Sequence, residues 1–218
     1  MNKVSAIITA AGKNSRMRED QLNKNIPVQN KLTLPFLKNT IIETTIDNVL
    51  NTENIDECIV VLGHYYDEIL PLINNIDDKR LKIVKNNPID VGLSISLLNG
   101  LLNSKNQYVL CVTGDQPTVS SKTFNNILNT LFKSDNPQKT ISILRRIDIG
   151  KLDSAIGLGM PFAANRNELM HYLEGENDNL NPILRKMYSD GFEFYGVKED
   201  NPDELININH LEDYKSLL

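Results

Sequence analysis

The sequence contains few of the residues that build disulfide frameworks or histidine-based metal sites. It has two cysteines, Cys58 and Cys111, and both lie in apolar runs, where a small buried thiol is commoner than a disulfide or a nucleophile. The three histidines are scattered without the spacing of metal ligands. We therefore expect a reducing compartment, no disulfide framework and no histidine-based metal centre.

Long apolar runs and an excess of positive charge are also missing. No stretch approaches the ~18 apolar residues that cross a bilayer. The apolar run at residues 4–11 is short for a secretory signal and is followed at once by Lys13 and Arg16. The formal net charge of −5 argues against binding to nucleic acid or an anionic membrane. These absences predict a cytoplasmic protein in which any phosphate site is local.

Short β-rich runs alternate with longer runs of helical period, which predicts crossover units and a mostly parallel sheet. With 218 residues and 40% hydrophobic composition, the chain is long enough for one core. We predict a single-domain, three-layer α/β/α fold with a Rossmann-like twisted sheet. The predicted strands are Val4–Thr9, Glu57–Leu62, Leu81–Val84, Tyr108–Thr113, Thr140–Leu144 and Phe192–Val197. The predicted helices are Thr40–Leu50, Tyr65–Ile73, Leu93–Leu102, Ser121–Phe132, Arg166–Leu173, Asn181–Ser189 and Leu211–Leu218.

The first predicted strand ends in small residues that are followed by positive charge. Residues 9–12 read Thr-Ala-Ala-Gly, so backbone N–H groups can approach an anion closely. Neither the G-x-G-x-x-G spacing nor a Gly-Lys-Ser/Thr ending is present, which argues against a dinucleotide fold and a P-loop ATPase. Ser15, Arg16 and Lys31 supply a hydroxyl and two cations that suit a triphosphate. The alternative interpretation is a solvated basic loop.

Asp115 stands directly after a second apolar strand, in the segment Gly-Asp-Gln-Pro at residues 114–117. Ligands of open α/β sheets bind at the carboxyl ends of the strands. A carboxylate at that edge suits Mg²⁺, which takes one or two protein carboxylates and completes its shell with water and phosphate. The alternative is that the segment is only a turn.

A third polar segment, NNPIDVGLSISLLNGL, leads into a predicted helix. Gly92, Ser94 and Ser96 stand at the start of that helix, where backbone and hydroxyl groups can contact a base or a ribose. Capping of the helix by Ser94 is the alternative.

Taken in order, the segments TAAGKNSRM, NKLTLPF, NNPIDVGLSISLLNGL and VTGDQP resemble the nucleotidyltransferase family that includes molybdenum cofactor cytidylyltransferases and guanylyltransferases. The resemblance covers residues 3–130, with a weaker match at 205–214. It implies the sheet fold of nucleotide-diphospho-sugar transferases and a bound Mg²⁺, with Mn²⁺ as an alternative. The motifs Ala-Ala-Gly and Asp-Gln-Pro are closer to those of the cytidylyl branch, which implies CTP as the nucleotide.

The resemblance also implies roles for individual residues. The triphosphate loop comprises Ala10, Ala11, Gly12, Ser15 and Arg16, and Lys31 contacts phosphate. Asn87, Gly92 and Ser94 fall where the family binds base and ribose, and Asp115 matches the metal aspartate. Asn207 stands where the family has its second metal ligand. Arg16, Lys31 and Asp115 would carry the catalysis.

The chain departs from the family pattern on the acceptor side. Arg18 replaces a glycine, Asn207 replaces an aspartate, and residues 159–161 read Gly-Met-Pro where the cytidylyl branch has Gly-His-Pro. Arg145-Arg146 is interpreted as a solvated pair, with contact to an anionic acceptor as the alternative.

The expected activity is transfer of a nucleoside monophosphate, CMP from CTP, to a molybdopterin-type acceptor phosphate. Residues 1–135 would form the nucleotide-binding half and residues 136–218 the acceptor-binding half. Two alternatives stay open. One is a sugar- or alditol-phosphate nucleotidyltransferase, and the other is a catalytically weak cofactor-binding protein that serves a molybdenum hydroxylase.

Overall fold

Strands and helices alternate along the chain as the apolar periodicity predicts. The computed structural model describes residues 2–177 and 179–218. The strands are β1 Val4–Ala10, β2 Pro35–Phe36, β3 Asn39–Thr40, β4 Ile55–Leu62, β5 Leu81–Lys85, β6 Tyr108–Thr113, β7 Thr140–Leu144, β8 Gly150–Lys151, β9 Phe162–Asn165 and β10 Glu193–Val197. The helices are α1 Ser15–Asn23, α2 Ile41–Leu50, α3 Tyr66–Asn74, α4 Leu93–Leu102, α5 Ser121–Lys133, α6 Arg166–Leu173, α7 Leu180–Ser189 and α8 Leu211–Ser216.

Eight strands form one twisted sheet in the order β5-β4-β1-β6-β9-β7-β10-β8, and β2 pairs with β3 in a separate hairpin. The pairs β5-β4, β4-β1, β1-β6 and β7-β10 are parallel. β9 runs antiparallel to both β6 and β7, so β6 and β7 point the same way. The carboxyl ends of β1, β6 and β7 therefore meet one edge of the sheet. This mostly parallel α/β sheet confirms the predicted fold class.

Helices cover both faces of the sheet and bury two apolar clusters. One cluster packs α1, α2, α3, α5 and α8 against residues such as Ile8 and Leu110. The other packs α4, α6 and α7 against residues such as Ile7 and Val109. Alternate residues of β1 and β6 enter opposite clusters because successive side chains of a strand point to opposite faces. The three predicted layers are thus present.

The two cysteines lie on opposite faces of the sheet. Cys58 belongs to the first cluster and Cys111 to the second, and both are fully buried free thiols. Burial raises the pKa of the Cys58 thiol to about 12 and also raises that of Cys111. Neither thiol is activated as a nucleophile, in agreement with their interpretation as core residues.

The predicted elements agree with the structure to within two residues at each end. The periodicity missed α1, which buries only Met17 and Gln21 and so carries almost no apolar stripe. It also missed β9, which has four residues and no β-branched side chain. β9 fills the gap between β6 and β7.

No helix among the described residues is both long and apolar enough to cross a bilayer. Strands from both predicted halves share the one sheet. Their division into a nucleotide-binding half and an acceptor-binding half stays a prediction.

Candidate functional site

The loop after β1 forms one wall of a cavity at the carboxyl edge of the sheet. The chain turns at Asn14, whose φ is 57°, and α1 begins at the next residue. A Cβ added at Gly12 would meet no atom within 4 Å, so the backbone of the loop is open to the cavity. The cavity has a volume of about 350 Å³. Its lining includes seven of the predicted site residues, Ala10, Ala11, Gly12, Ser15, Arg16, Lys31 and Asp115.

Neighbouring segments hold this loop in place. A Cβ added at Gly63, just beyond β4, would lie 2.8 Å from the carbonyl oxygen of Ala11 and 2.9 Å from its Cβ, so only glycine fits beneath the loop. On the other side, the Asn14 side chain donates to the carbonyl of Gln29 at 3.0 Å and accepts from the backbone N–H of Lys31 at 3.4 Å. Asn14 thus links this loop, residues 10–14, to the segment that carries Lys31.

Lys31 and Asp115 meet at the floor of the cavity. The Lys31 ammonium donates to Asp115 Oδ2 at 2.5 Å, to the carbonyl of Ile208 at 2.7 Å and to Asn209 Oδ1 at 3.2 Å. The side chains of Lys31 and Asp115 are 16% and 13% exposed. Asp115 Oδ1 is buried and has no hydrogen-bond partner among the described residues. The carboxylate is therefore only half satisfied by the protein.

The turn after β6 sets the position of Asp115. Gly114 donates its N–H to the carbonyl of Thr9 at 3.0 Å, and a Cβ there would lie 2.9 Å from Ile42 Cδ1. The carbonyl of Asp115 accepts from the N–H of Ile208 at 3.1 Å. The C-terminal segment is thereby fastened beside the carboxylate, which brings Asn209 into the cavity lining.

Gln116 explains why Asn207 lies elsewhere. The Gln116 side chain is fully buried and donates to Asn207 Oδ1 at 2.9 Å and to the carbonyl of Met160 at 3.1 Å. Among the described residues, Asn209 lines the cavity and Asn207 does not. The family resemblance favours Asn207, but both asparagines stand in the same segment, NIN. Their contacts distinguish them, since Asn207 accepts from Gln116 and Asn209 accepts from the Lys31 ammonium.

The predicted base-binding residues are not gathered at the cavity. The backbone N–H of Gly92 donates to Asn177 Oδ1 at 2.7 Å, and the buried Ser94 hydroxyl donates to the carbonyl of Glu176 at 3.0 Å. Asn87 is exposed on the loop after β5. The residues of this segment that do line the cavity are Val91, Leu93 and Ser96. The start of α4 thus packs against the chain's own 176–177 segment, and Ser94 does not cap the helix, in contrast to the alternative interpretation.

Two cations, Lys13 and Arg16, lie on the loop side of the cavity. Arg16 is exposed at the first turn of α1 and forms no ion pair with the described residues. Lys13 pairs with Asp90 at 2.7 Å, which lowers the pKa of that carboxyl. The positive end of the α1 dipole adds to these cations. This side of the cavity therefore favours an anionic ligand.

The oxygen donors at the cavity floor fit a hard divalent cation. The described residues contain no cluster of three or more His, Cys, Asp or Glu that could hold a metal. The free Asp115 Oδ1 and the Asn209 carbonyl oxygen are the kind of donor that Mg²⁺ accepts from a protein when phosphate and water supply the rest. A metal that arrives with a phosphate ligand fits this site, whereas a structural metal does not.

The adjacent arginines after β7 have different surroundings. Arg145 forms a bidentate ion pair with Glu199. Arg146 is half-buried and donates to the carbonyls of Leu205 and Met160. The interpretation as a solvated pair is wrong for both residues.

The chain is similar to known nucleotidyltransferases. A family model described as "MobA-like NTP transferase domain" matches residues 6–146. A solved structure described as a nucleotidyl transferase from Methanothermobacter thermautotroptrophicus is 40% identical, with a TM-score of 0.91, and the match covers 100% of this chain and 96% of that one.

Two curated relatives differ in their named substrates. A probable molybdenum cofactor guanylyltransferase of Methanosarcina acetivorans is 27% identical over 134 residues, which cover 61% of this chain and 53% of that protein. A 2-C-methyl-D-erythritol 4-phosphate cytidylyltransferase of Alteromonas mediterranea is 28% identical over 137 residues, which cover 61% of this chain and 51% of that protein. The chain thus spans about half the length of these relatives.

Proposed function

Because the chain belongs to the MobA-like NTP transferase family, we propose that it transfers a nucleoside monophosphate from an NTP to a phosphorylated acceptor and releases pyrophosphate. CTP is the proposed nucleotide and a molybdopterin-type phosphate the proposed acceptor. The observation that carries the proposal is the half-satisfied Asp115 carboxylate next to an open, cation-rich loop. That combination suits a triphosphate whose α-phosphate lies near Asp115.

In the proposed reaction, an oxygen of the acceptor phosphate forms a bond to the α-phosphorus. The bond between the α-phosphorus and the bridging oxygen breaks, and that oxygen leaves with pyrophosphate. A phosphate monoester is largely ionised at neutral pH because its second pKa is about 6, so no general base is needed. The chain's task is to position the groups and stabilise charge.

Each proposed role follows from position. The backbone of the 10–14 loop and Arg16 would bind the β- and γ-phosphates and stabilise the charge that develops on pyrophosphate. Asp115 and Asn209 would hold Mg²⁺, or Mn²⁺ as the alternative. When bound, the ion supplies charge neutralisation at the α-phosphate. We propose Asn209 in place of Asn207 because its oxygen lies 3.2 Å from the same ammonium that contacts Asp115.

The apolar side of the cavity is the proposed place of the base. Val91 and Leu93 line it next to Ser96. Apolar contact with two aliphatic side chains would accommodate a base without selecting one base over another. The relatives differ in the same respect, since one is named a guanylyltransferase and the other a cytidylyltransferase.

A second candidate acceptor is a sugar or alditol phosphate. It is favoured by the relative that is named for 2-C-methyl-D-erythritol 4-phosphate and by the altered residues 159–161. The reaction and the roles of Asp115 and Arg16 would be unchanged. The accessory-protein alternative has no support from the site, because the cavity floor keeps its carboxylate.

Pyrophosphate release by the purified protein tests the proposal. CTP, GTP, ATP and UTP are each supplied with Mg²⁺ and either molybdenum cofactor or a panel of sugar and alditol phosphates. Asp115→Asn keeps the shape of the side chain but removes its charge, so we expect the rate to fall by about 10² or more. Release that is equally fast in this variant contradicts the assignment of Asp115. A lack of release with every acceptor of both kinds would contradict the proposed acceptor classes.

A further inference from the structure

Arg146 is a cation without a carboxylate partner. Its guanidinium donates from Nη1 to the carbonyl of Leu205 at 3.4 Å and from Nη2 to the carbonyl of Met160 at 3.3 Å, both at the long end of hydrogen-bond distances. It forms no ion pair with any residue in the described ranges. The neighbouring Arg145 differs, since Glu199 binds it through two hydrogen bonds and raises the pKa of its guanidinium.

The surroundings of Arg146 disfavour its charge. Burial lowers the pKa of the Arg146 guanidinium, and no neighbouring acid counteracts the effect. A partly buried charge that lacks a partner costs free energy, which an apolar side chain of similar size would not. A stabilising role in the ligand-free fold therefore does not account for this arginine. An anion that binds beside the guanidinium would account for it.

Arg146 lies at the same edge of the sheet as Asp115. Each residue stands two positions beyond the end of its strand, Asp115 after β6 and Arg146 after β7. Only β9 separates those strands, and neighbouring strands are about 4.8 Å apart, so β6 and β7 are separated by about 10 Å. The carbonyl of Met160 accepts from both Gln116 Nε2 at 3.1 Å and Arg146 Nη2 at 3.3 Å. Arg146 and Gln116, the residue after Asp115, thus contact the same carbonyl oxygen.

We propose that Arg146 binds the phosphate group of the acceptor and selects acceptors that carry one. A guanidinium fork can hold two of the three terminal oxygens of a phosphate monoester, which leaves the third free to react. The identity of the anion as the acceptor rests on the proposed function, whereas binding of the anion does not.

NMR of the ¹⁵N-labelled protein tests this binding with inorganic phosphate as the probe, at constant ionic strength set with NaCl. The Nε–Hε resonance of each arginine is observed separately, so phosphate at the loop near Arg16 is distinguished from phosphate at Arg146. We expect the Arg146 resonance to shift saturably in the millimolar range and the Arg145 resonance to stay in place. An Arg146 resonance that phosphate does not move, while that of Arg16 shifts, overturns the proposal.

Variants supply a second readout. Arg146→Met removes an unpaired, partly buried charge, so we expect the ligand-free Tm to stay the same or rise. Phosphate shifts at the backbone amides of Gly159 and Met160 should disappear in this variant, and weaken about tenfold in Arg146→Lys, which keeps the charge but loses the fork. Lys198→Gln, an exposed cation one residue beyond β10, is the matched control and should keep them.

The two proposals fail separately. If phosphate moves the Arg146 resonance and no pyrophosphate release is found, the anion site stands and its role for an acceptor is overturned. A fall in Tm in Arg146→Met together with unchanged phosphate shifts at Gly159 and Met160 shows a structural arginine and overturns the proposal.

Discussion

The Lys31 ammonium donates to the two side chains that would hold a divalent cation, to Oδ2 of Asp115 and to Oδ1 of Asn209. Its three acceptors belong to Asp115, Ile208 and Asn209, at distances of 2.5 to 3.2 Å. A dication at Asp115 and an ammonium 2.5 Å from the same carboxylate would repel each other. Binding of a metal–nucleotide complex therefore requires Lys31 to turn from these oxygens towards phosphate.

Replacement of Lys31 by methionine should affect metal binding and turnover in opposite directions. Without the competing ammonium, we expect Lys31→Met to bind Mn²⁺ more tightly in the absence of nucleotide, as measured by electron paramagnetic resonance. Pyrophosphate release should nevertheless fall by about 10², because a cation that faces the phosphates is lost. Lys13→Met is the control for metal binding and should bind Mn²⁺ like the wild type, since Lys13 pairs with Asp90 and not with Asp115. Weaker Mn²⁺ binding in Lys31→Met would contradict the idea that the Lys31 ammonium and the metal compete for the same carboxylate.

Asn209 and Asn207 provide a matched pair of substitutions. Asn209→Ala should raise the metal concentration for half-maximal pyrophosphate release by about tenfold or more, on the scale of lost metal-site interactions. Asn207→Ala should leave that concentration nearly unchanged and lower the free energy of unfolding by about 1–3 kcal/mol, because the buried Gln116 amide loses an acceptor. The opposite result would make Asn207 the ligand.

At the scale of elements, the site depends on the junction of β1, α1 and β4. α1 carries little apolar surface, yet its N-terminus faces the cavity and supplies Ser15 and Arg16 to its lining. Gly63, beyond β4, supports the loop that joins β1 to α1. The shape of the 10–14 loop is therefore set in part by a residue that does not line the cavity.

Two glycine substitutions separate the shape of the loop from its contacts. Gly63→Ala places a Cβ 2.8 Å from the Ala11 carbonyl oxygen, so we expect a loss of about 1–3 kcal/mol in the free energy of unfolding, as for other overpacked sites. Gly12→Ala meets open space, so stability should change by less than about 0.5 kcal/mol. Both should weaken NTP binding, measured by calorimetry, because the loop is displaced in one variant and obstructed in the other. Full NTP affinity in Gly12→Ala would show that the loop does not bind phosphate.

At the scale of the whole molecule, ion pairs join the strands at the edge opposite the cavity. Asp56 accepts from Lys3 at 2.7 Å and pairs with Lys105 at 2.9 Å, so it connects the starts of β1 and β6 to β4. These hydrogen bonds, first from Lys3 and then from Lys105, lower the pKa of Asp56 from 3.8 to about 2. Asp47 shows the opposite shift, because burial raises the pKa of its carboxyl.

The shifted pKa of Asp56 makes stability depend on pH. Because the folded pKa lies below the unfolded value, the contribution is complete above about pH 4 and is lost as the pH falls towards 2. We expect Tm to fall over this interval, and to fall less steeply in Asp56→Asn. Glu53→Gln removes an exposed carboxylate that has no ion pair among the described residues, so its Tm should fall with pH as steeply as that of the wild type. Equal slopes in all three proteins would show that Asp56 does not contribute.

The sequence alone determined the fold class and the order of the longer strands and helices, although not α1 or β9, and it marked most of the residues that line the loop side of the cavity. Apolar periodicity marks buried faces directly, and small residues followed by charge at strand ends mark the ligand edge, so residues 10–16, Lys31 and Asp115 are recognisable from local pattern. Tertiary structure decided what depends on distant contacts. The choice of Asn209 over Asn207 required Gln116, the capping of Gly92 required Asn177, and the isolation of Arg146 required Glu199 to pair with Arg145. No local pattern encodes such partners, because they meet only when the chain brings segments far apart in sequence to one edge of the sheet.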